Sequence, residues 1–120
     1  MRGLIVKEPY ASMIVKGDKK WEIRRRKTNI RGKVYIISNG EIIGSAELVD
    51  VIGPFSVEDL MELKEMHKAD EKFLREYARG ERLFAWVFEN PKEFKEKRKV
   101  KVPRGAQVWI RVDDSLFNSD

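Results

Sequence analysis

Cysteine is absent from the 120-residue chain, histidine occurs once and proline only four times. Without cysteine there can be no disulfide framework and no thiolate zinc site, and one histidine supplies too few nitrogens for a His-based metal cage. Neither a metal nor another cofactor is therefore expected. Long apolar runs are missing too: nothing approaches the roughly 20 residues of a membrane span, and the N-terminal stretch lacks the apolar core of a signal peptide. The chain reads as a soluble, cytoplasmic protein with no membrane partner. Internal repeats, low-complexity tracts and long linkers are likewise lacking. A chain of this length buries roughly 65% of its unfolded surface, enough for one core. A single domain is expected over residues 1–112, followed by a polar tail at 113–120.

Charge, by contrast, is plentiful. Charged residues make up 38% of the chain, and the shortage of Asn and Gln beside so much Lys and Glu resembles a thermophile's surface. The net charge of +5 is unevenly spread. Residues 16–33 carry +7 and residues 92–104 carry +5, which leaves −7 for the remainder. Most of that negative charge lies in residues 41–81, with eleven acids against five bases. If the two basic segments meet in space, the molecule has a basic face suited to a polyanion, because several cations acting together release counterions from a phosphate backbone. The acidic segment would then turn away from such a ligand. The plainer alternative is a lysine-rich edge that keeps a sheet from aggregating.

Short strands alternate with short helices. Residues 3–7 read as a strand, Pro9 starts a helix that buries Met13 and Ile14, and Gly17 ends it. From Trp21 to Arg26 the period is two, with Trp21 and Ile23 facing inward and Glu22, Arg24 and Arg26 forming an outer ionic row. Gly32 precedes a strand at 33–38, and Asn39 with Gly40 makes a hairpin turn into a strand at 42–52. Ser56 is placed to cap a helix, with Asp59 three residues on and Phe55 and Leu60 as its hydrophobic staple. That helix is expected to bury Val57, Leu60, Met61 and Leu63. Another begins near Asp70, buries Phe73, Leu74 and Tyr77, and ends at Gly80. A long alternating strand follows from Leu83 to Phe88, then a basic turn, then a last strand at 107–112. The fold expected is α+β and mainly β: a closed or nearly closed barrel of five or six short strands with two or three small helices.

The most specific local string runs from Gly17 to Arg24. A glycine ends a helix, Lys19 sits in the turn, and Glu22 and Arg24 share one strand face with Cβ atoms about 7 Å apart. Such a row can be a surface salt-bridge ladder of little worth. Against that, Trp21 and Ile23 anchor the opposite face and hold the charges rigidly beside the core.

Gly17, Lys19, Glu22 and Arg24 match G-x-K-x-x-E-x-R, and the chain thereby resembles the ASCH domains, which have a PUA-like β-barrel fold. Further blocks are similar: Glu8–Ser12 leading into Ile14–Gly17, Thr28–Gly32, Ala85–Pro91, and Val102–Gly105 with Trp109. The resemblance covers residues 3–112. It implies a groove lined by the motif and a nucleic-acid partner, with RNA preferred to DNA. Lys19, Glu22 and Arg24 would line the groove, with Tyr10, Arg26, Thr28, Asn29, Arg31 and Trp86 as further ligand-binding candidates. Trp86 has the alternative of being plain core, and Thr28 and Asn29 that of shaping a turn. One bacterial branch of the family removes the acetyl group from N4-acetylcytidine with the motif Lys and a Thr where this chain has Glu22; a carboxylate does not supply that nucleophile. The branch also uses a Glu to which Glu71 is the nearest counterpart. Other members are reported to cleave RNA, which without a metal needs a base, an acid and phosphate-binding cations. Lys19 and Glu22 are the catalytic candidates if the chain is an enzyme, a point the sequence leaves open along with oligomeric state. His67 reads as a surface or boundary residue.

Overall fold

Runs rich in β-branched and aromatic residues give six strands among the described residues. In chain order they are β1 (Arg2–Ile5), β2 (Trp21–Arg24), β3 (Gly32–Ser38), β4 (Glu41–Phe55), β5 (Leu83–Lys99) and β6 (Trp109–Arg111). The structure is a computed structural model describing residues 1–106 and 108–117. The strands form one sheet in the order β2-β5-β4-β3-β1-β6. Only the β1–β3 pair is parallel. The sheet curls without closing, so β2 and β6 remain its edges. Across the gap, Arg24 of β2 donates from Nη2 to the Ile5 carbonyl of β1 at 2.8 Å, and Trp86 of β5 stacks on Trp109 of β6 with centroids 5.8 Å apart. Side chains therefore hold a seam that no backbone ladder spans among the described residues.

Among the described residues four short α-helices decorate the sheet: α1 (Tyr10–Lys16), α2 (Val57–Met61), α3 (Lys64–His67) and α4 (Glu71–Ala78). Their ends follow the expected chemistry. Gly17 stops α1 in the left-handed conformation at φ 88°, where a residue without Cβ carries no steric penalty. The Ser56 side chain accepts from the Asp59 N–H at 3.0 Å, and Asp70 accepts from the Phe73 N–H at 2.8 Å, each satisfying an otherwise orphaned donor. Buried Ala11, Ile14 and Val15 of α1 pack against Leu4, Val34, Ile36, Leu48 and Phe88 in one core. Trp21, Ile23, Leu60, Leu74 and Leu83 form a second beneath α2–α4, and Tyr35, Ile37, Ile42 and Ile110 a third on the opposite face of the sheet.

Several elements depart from the sequence reading. The basic stretch after Pro91 is strand rather than turn: Lys92–Lys99 pairs antiparallel with Glu41–Ser45, because the first half of β4 needs a partner on that side. Met13 is only half-buried, and Leu63 is exposed because the chain turns there into α3, an element without a sequence signal. His67 is fully buried, not at the surface. Both ring nitrogens are satisfied inside: Nε2 lies 2.6 Å from the Leu60 carbonyl, and Nδ1 accepts from the Ala69 N–H at 3.0 Å. The last strand is shorter than expected, and Gln107, its first expected residue, lies outside the described residues. Of the 113–120 tail, Asp114–Phe117 forms a single 3₁₀ turn, with Asp114 3.5 Å from the N-terminal ammonium, and 118–120 lie outside the described residues.

Candidate functional site

After Gly17 the chain is folded back on itself. The N–H groups of Asp18 and Lys19 both donate to the Met13 carbonyl, at 2.9 and 3.1 Å. Lys20 is tied on both sides, its N–H to Met66 and its carbonyl to the Phe88 N–H. Strapped between α1, α3 and β5, the turn drives Lys19 inward until it is 2% exposed. Its Nζ donates to the His67 carbonyl, lies 4.6 Å from the centroid of the Tyr10 ring, and sits 3.8 Å from Glu22 Oε1. The Oε2 atom of Glu22 accepts from Arg24 Nε at 2.9 Å. Lys19, Glu22 and Arg24 thus form a continuous ionic chain that ends on β1 through the Ile5 carbonyl.

This chain of charges is not a solvated ladder, since Glu22 is only 7% exposed. Burial pushes the Lys19 ammonium down to about 8; Glu22 opposes that shift and Arg24 adds to it. The Tyr10 hydroxyl is pushed up, first by burial and then by the negative charges of Asp70 and Glu22.

Tyr10, Lys19, Glu22 and Arg24 line one cavity of about 220 Å³ at the seam. Its floor is apolar, from Ile5, Ile23 and Ala69, and Lys7 stands on its wall. Phe73 and Tyr77 of α4 form the remaining wall, their rings parallel within 6° and 5.8 Å apart, with Tyr10 5.4 Å from Phe73. These two aromatics were expected in the core. Instead Leu74 and Ala78 point into it, and the Phe73/Tyr77 pair, one step around the helix, is half-buried and faces the cavity. An aromatic pair at i, i+4 flanking a smaller buried pair at i, i+4 was the available signal. Ile5, Lys7 and Ala69 had none. The acidic segment therefore does not turn wholly away from the site: it supplies this wall while Glu71 and Glu76 remain exposed.

The other candidates stand outside the cavity lining. Trp86 is 3% exposed, stacked on Trp109, and donates Nε1–H to the Arg26 carbonyl at 2.9 Å, so its ring offers no free face to a base. The Arg26 side chain is exposed past the end of β2. Thr28 Oγ1 accepts from the Ile30 N–H at 3.2 Å, and Arg31 donates to the Thr28 and Ile30 carbonyls at 2.8 Å each, which organises the loop that also holds exposed Asn29. Glu71 pairs with Arg75 at 2.7 Å on the outer side of α4. Among the described residues no three His, Cys, Asp or Glu side chains converge on a point that would hold a metal ion, and no helix is long and apolar enough to cross a membrane.

A family model described as the ASCH domain matches residues 4–98, a span that includes the whole ionic chain. The chain belongs to the ASCH domain family. Among solved structures, the ASCH protein from Zymomonas mobilis superimposes with a TM-score of 0.79 at 18% identity, covering 95% of this chain and 88% of that one. A serine-to-alanine variant and a tyrosine-to-phenylalanine variant of that protein each give 0.75, at 18% and 19% identity, over 94% of this chain and 88% and 90% of theirs. No curated protein matches. Likeness at such identity is one of fold, and it makes the open six-stranded sheet of this ASCH domain a nearly closed PUA-like barrel. In ASCH terms, the G-x-K-x-x-E-x-R positions occupy the turn after α1 and the edge strand β2.

Proposed function

We propose that this ASCH domain binds nucleic acid, single-stranded RNA above all, and takes one base into the cleft at the seam. The observation that carries the reading is the convergence of Tyr10, Lys19, Glu22 and Arg24 on one cavity walled by Phe73 and Tyr77. At about 220 Å³ it is smaller than the roughly 300–1,000 Å³ typical of sites for drug-sized ligands, which suits a single base better than a larger ligand. Aromatic rings beside a polar wall are what a splayed-out base requires. Exposed Arg25, Arg26 and Lys27 follow directly on β2, and the Arg25 guanidinium lies 4.6 Å from the Tyr77 ring centroid. They supply cations for the flanking phosphates. The test is a titration of a labelled single-stranded RNA at several salt concentrations. The logarithm of the affinity is expected to fall with the logarithm of salt by about 0.7 per phosphate engaged. Tyr77→Ala is expected to weaken binding by about 1–3 kcal/mol, the scale of one stacked base. Absence of saturable binding at low salt would sink the proposal.

A second reading, a metal-independent hydrolase acting on RNA or N4-acetylcytidine, is favoured by one observation: the Lys19 amine, lowered to about 8, is neutral in a useful fraction near physiological pH. Its check is incubation with acetylated cytidine and a labelled oligonucleotide, comparing the native chain with Lys19→Met. Turnover lost in the variant supports this reading, and no turnover in the native chain ends it.

A further inference from the structure

Glu22 is the feature that binding a generic base leaves unexplained. Its charge already balances Lys19 and Arg24, yet at 7% exposure it also lines the cleft, so a base taken there meets a carboxylate with acceptor capacity to spare. Its two oxygens are unequally engaged. Oε2 accepts from Arg24 Nε at 2.9 Å, and Oε1 lies 3.8 Å from Lys19 Nζ, beyond hydrogen-bond length. A carboxylate offers about four lone-pair sites, so both oxygens keep acceptor capacity. Beside them stands the Lys19 ammonium, which donates to the His67 carbonyl and, with three N–H groups, keeps donor capacity. The polar wall therefore reads, in order, as a donor followed by two acceptors.

The four bases answer that pattern unequally. Guanine alone presents two adjacent N–H donors, at N1 and N2, next to a carbonyl acceptor at O6. Adenine and cytosine offer one amino group beside an unprotonated ring nitrogen, and uracil one ring N–H between two carbonyls. Only guanine fills both carboxylate oxygens while turning its carbonyl to the ammonium, and its larger ring system has the Phe73/Tyr77 wall to lie along. We propose that Glu22, with Lys19 beside it, makes this cleft selective for guanine. The proposal rests on the nucleic-acid reading above and adds the base that is read.

The experiment compares binding of guanosine, inosine, adenosine, cytidine and uridine 5′-monophosphates to the full chain, together with uridine-tract RNAs carrying one central G, A or C. Guanosine monophosphate is expected to bind about tenfold or more tighter than the adenosine, cytidine and uridine nucleotides, the scale of one good bidentate base contact. Inosine monophosphate, which lacks the N2 amino group, is expected to fall between. Glu22→Gln, which replaces one acceptor by a donor, is expected to erase the guanine preference. The guanosine–inosine comparison needs no variant and holds even if Glu22→Gln folds poorly. Salt-dependent RNA binding without a guanine preference would overturn this inference alone, whereas no binding by any nucleotide or RNA overturns the reading beneath it as well.

Discussion

A buried ammonium must find inside the protein the contacts that water would supply, and Lys19 finds them in a carbonyl, a ring face and a carboxylate. They do not fully compensate, since the group sits at about 8 against an ordinary 10.5. The folded state thus binds fewer protons than the unfolded state between those values, and this group makes the fold gain stability as pH rises from about 8 to 10.5. The increment is on the order of 3 kcal/mol. Lys19→Met is expected to abolish it, seen as a difference between native and variant urea-unfolding free energies that changes across that window and is constant below it. A variant whose pH dependence parallels the native chain would contradict this account. The motif's membership was legible at this scale because its four residues fall within eight positions, where turn and strand geometry are local. Its depth was not. A lysine, a glutamate and an arginine in sequence look the same on a surface or in a wall, and what buries them is α3 and α4, some fifty residues away. His67 failed for the same reason: its ring is satisfied by Leu60 and Ala69, backbone groups that leave no mark on a hydrophobic pattern.

Elements were legible where a local rule sets an end. Gly17, Ser56 and Asp70 each mark a helix boundary that the structure keeps, and Asn39 with Gly40 turns the β3–β4 hairpin at φ 51° and 77°. They were not legible where a distant partner decides. The lysines after Pro91 look like a turn, and only the unsatisfied edge of β4 makes them strand. That pairing brings the two strands close at Gly44. A Cβ placed there would lie 2.2 Å from the Lys92 carbonyl oxygen and 2.6 Å from the Val15 side chain on α1. The first neighbour is backbone and has little room to yield. Gly44→Ala is therefore expected to destabilise the fold by about 1–3 kcal/mol, as overpacked cores do, read as a lowered midpoint in thermal or urea unfolding. An unchanged midpoint would mean that β4 and β5 part more easily than their register implies.

Over the whole molecule, the 15-residue β4 and 17-residue β5 make a long ribbon, and the extents are 48 × 28 × 24 Å. Phe94 of β5 packs toward Tyr35 on one face of it. By strand alternation Lys95, Lys97 and Lys99 lie on the other, all exposed. Burial raises the Glu8 carboxyl just ahead of α1, but hydrogen bonds from Ser38 and Ser12 outweigh it and lower the group, helped by the charge of nearby Lys97. If RNA runs from the cleft along this face, replacing the three lysines by glutamine is expected to reduce the salt slope by up to about 2, at roughly 0.7 per phosphate released, with base preference unchanged. The same titration reads it, and an unaltered slope would confine the RNA to the β2 side. The arrangement of the molecule also makes one side chain a fastener. The cleft lies where the curled sheet fails to meet itself, and Arg24 bridges that gap to Ile5. Because that guanidinium contact belongs to no strand ladder, the edge of the cleft and the hydrogen-bonded sheet are held by different kinds of interaction.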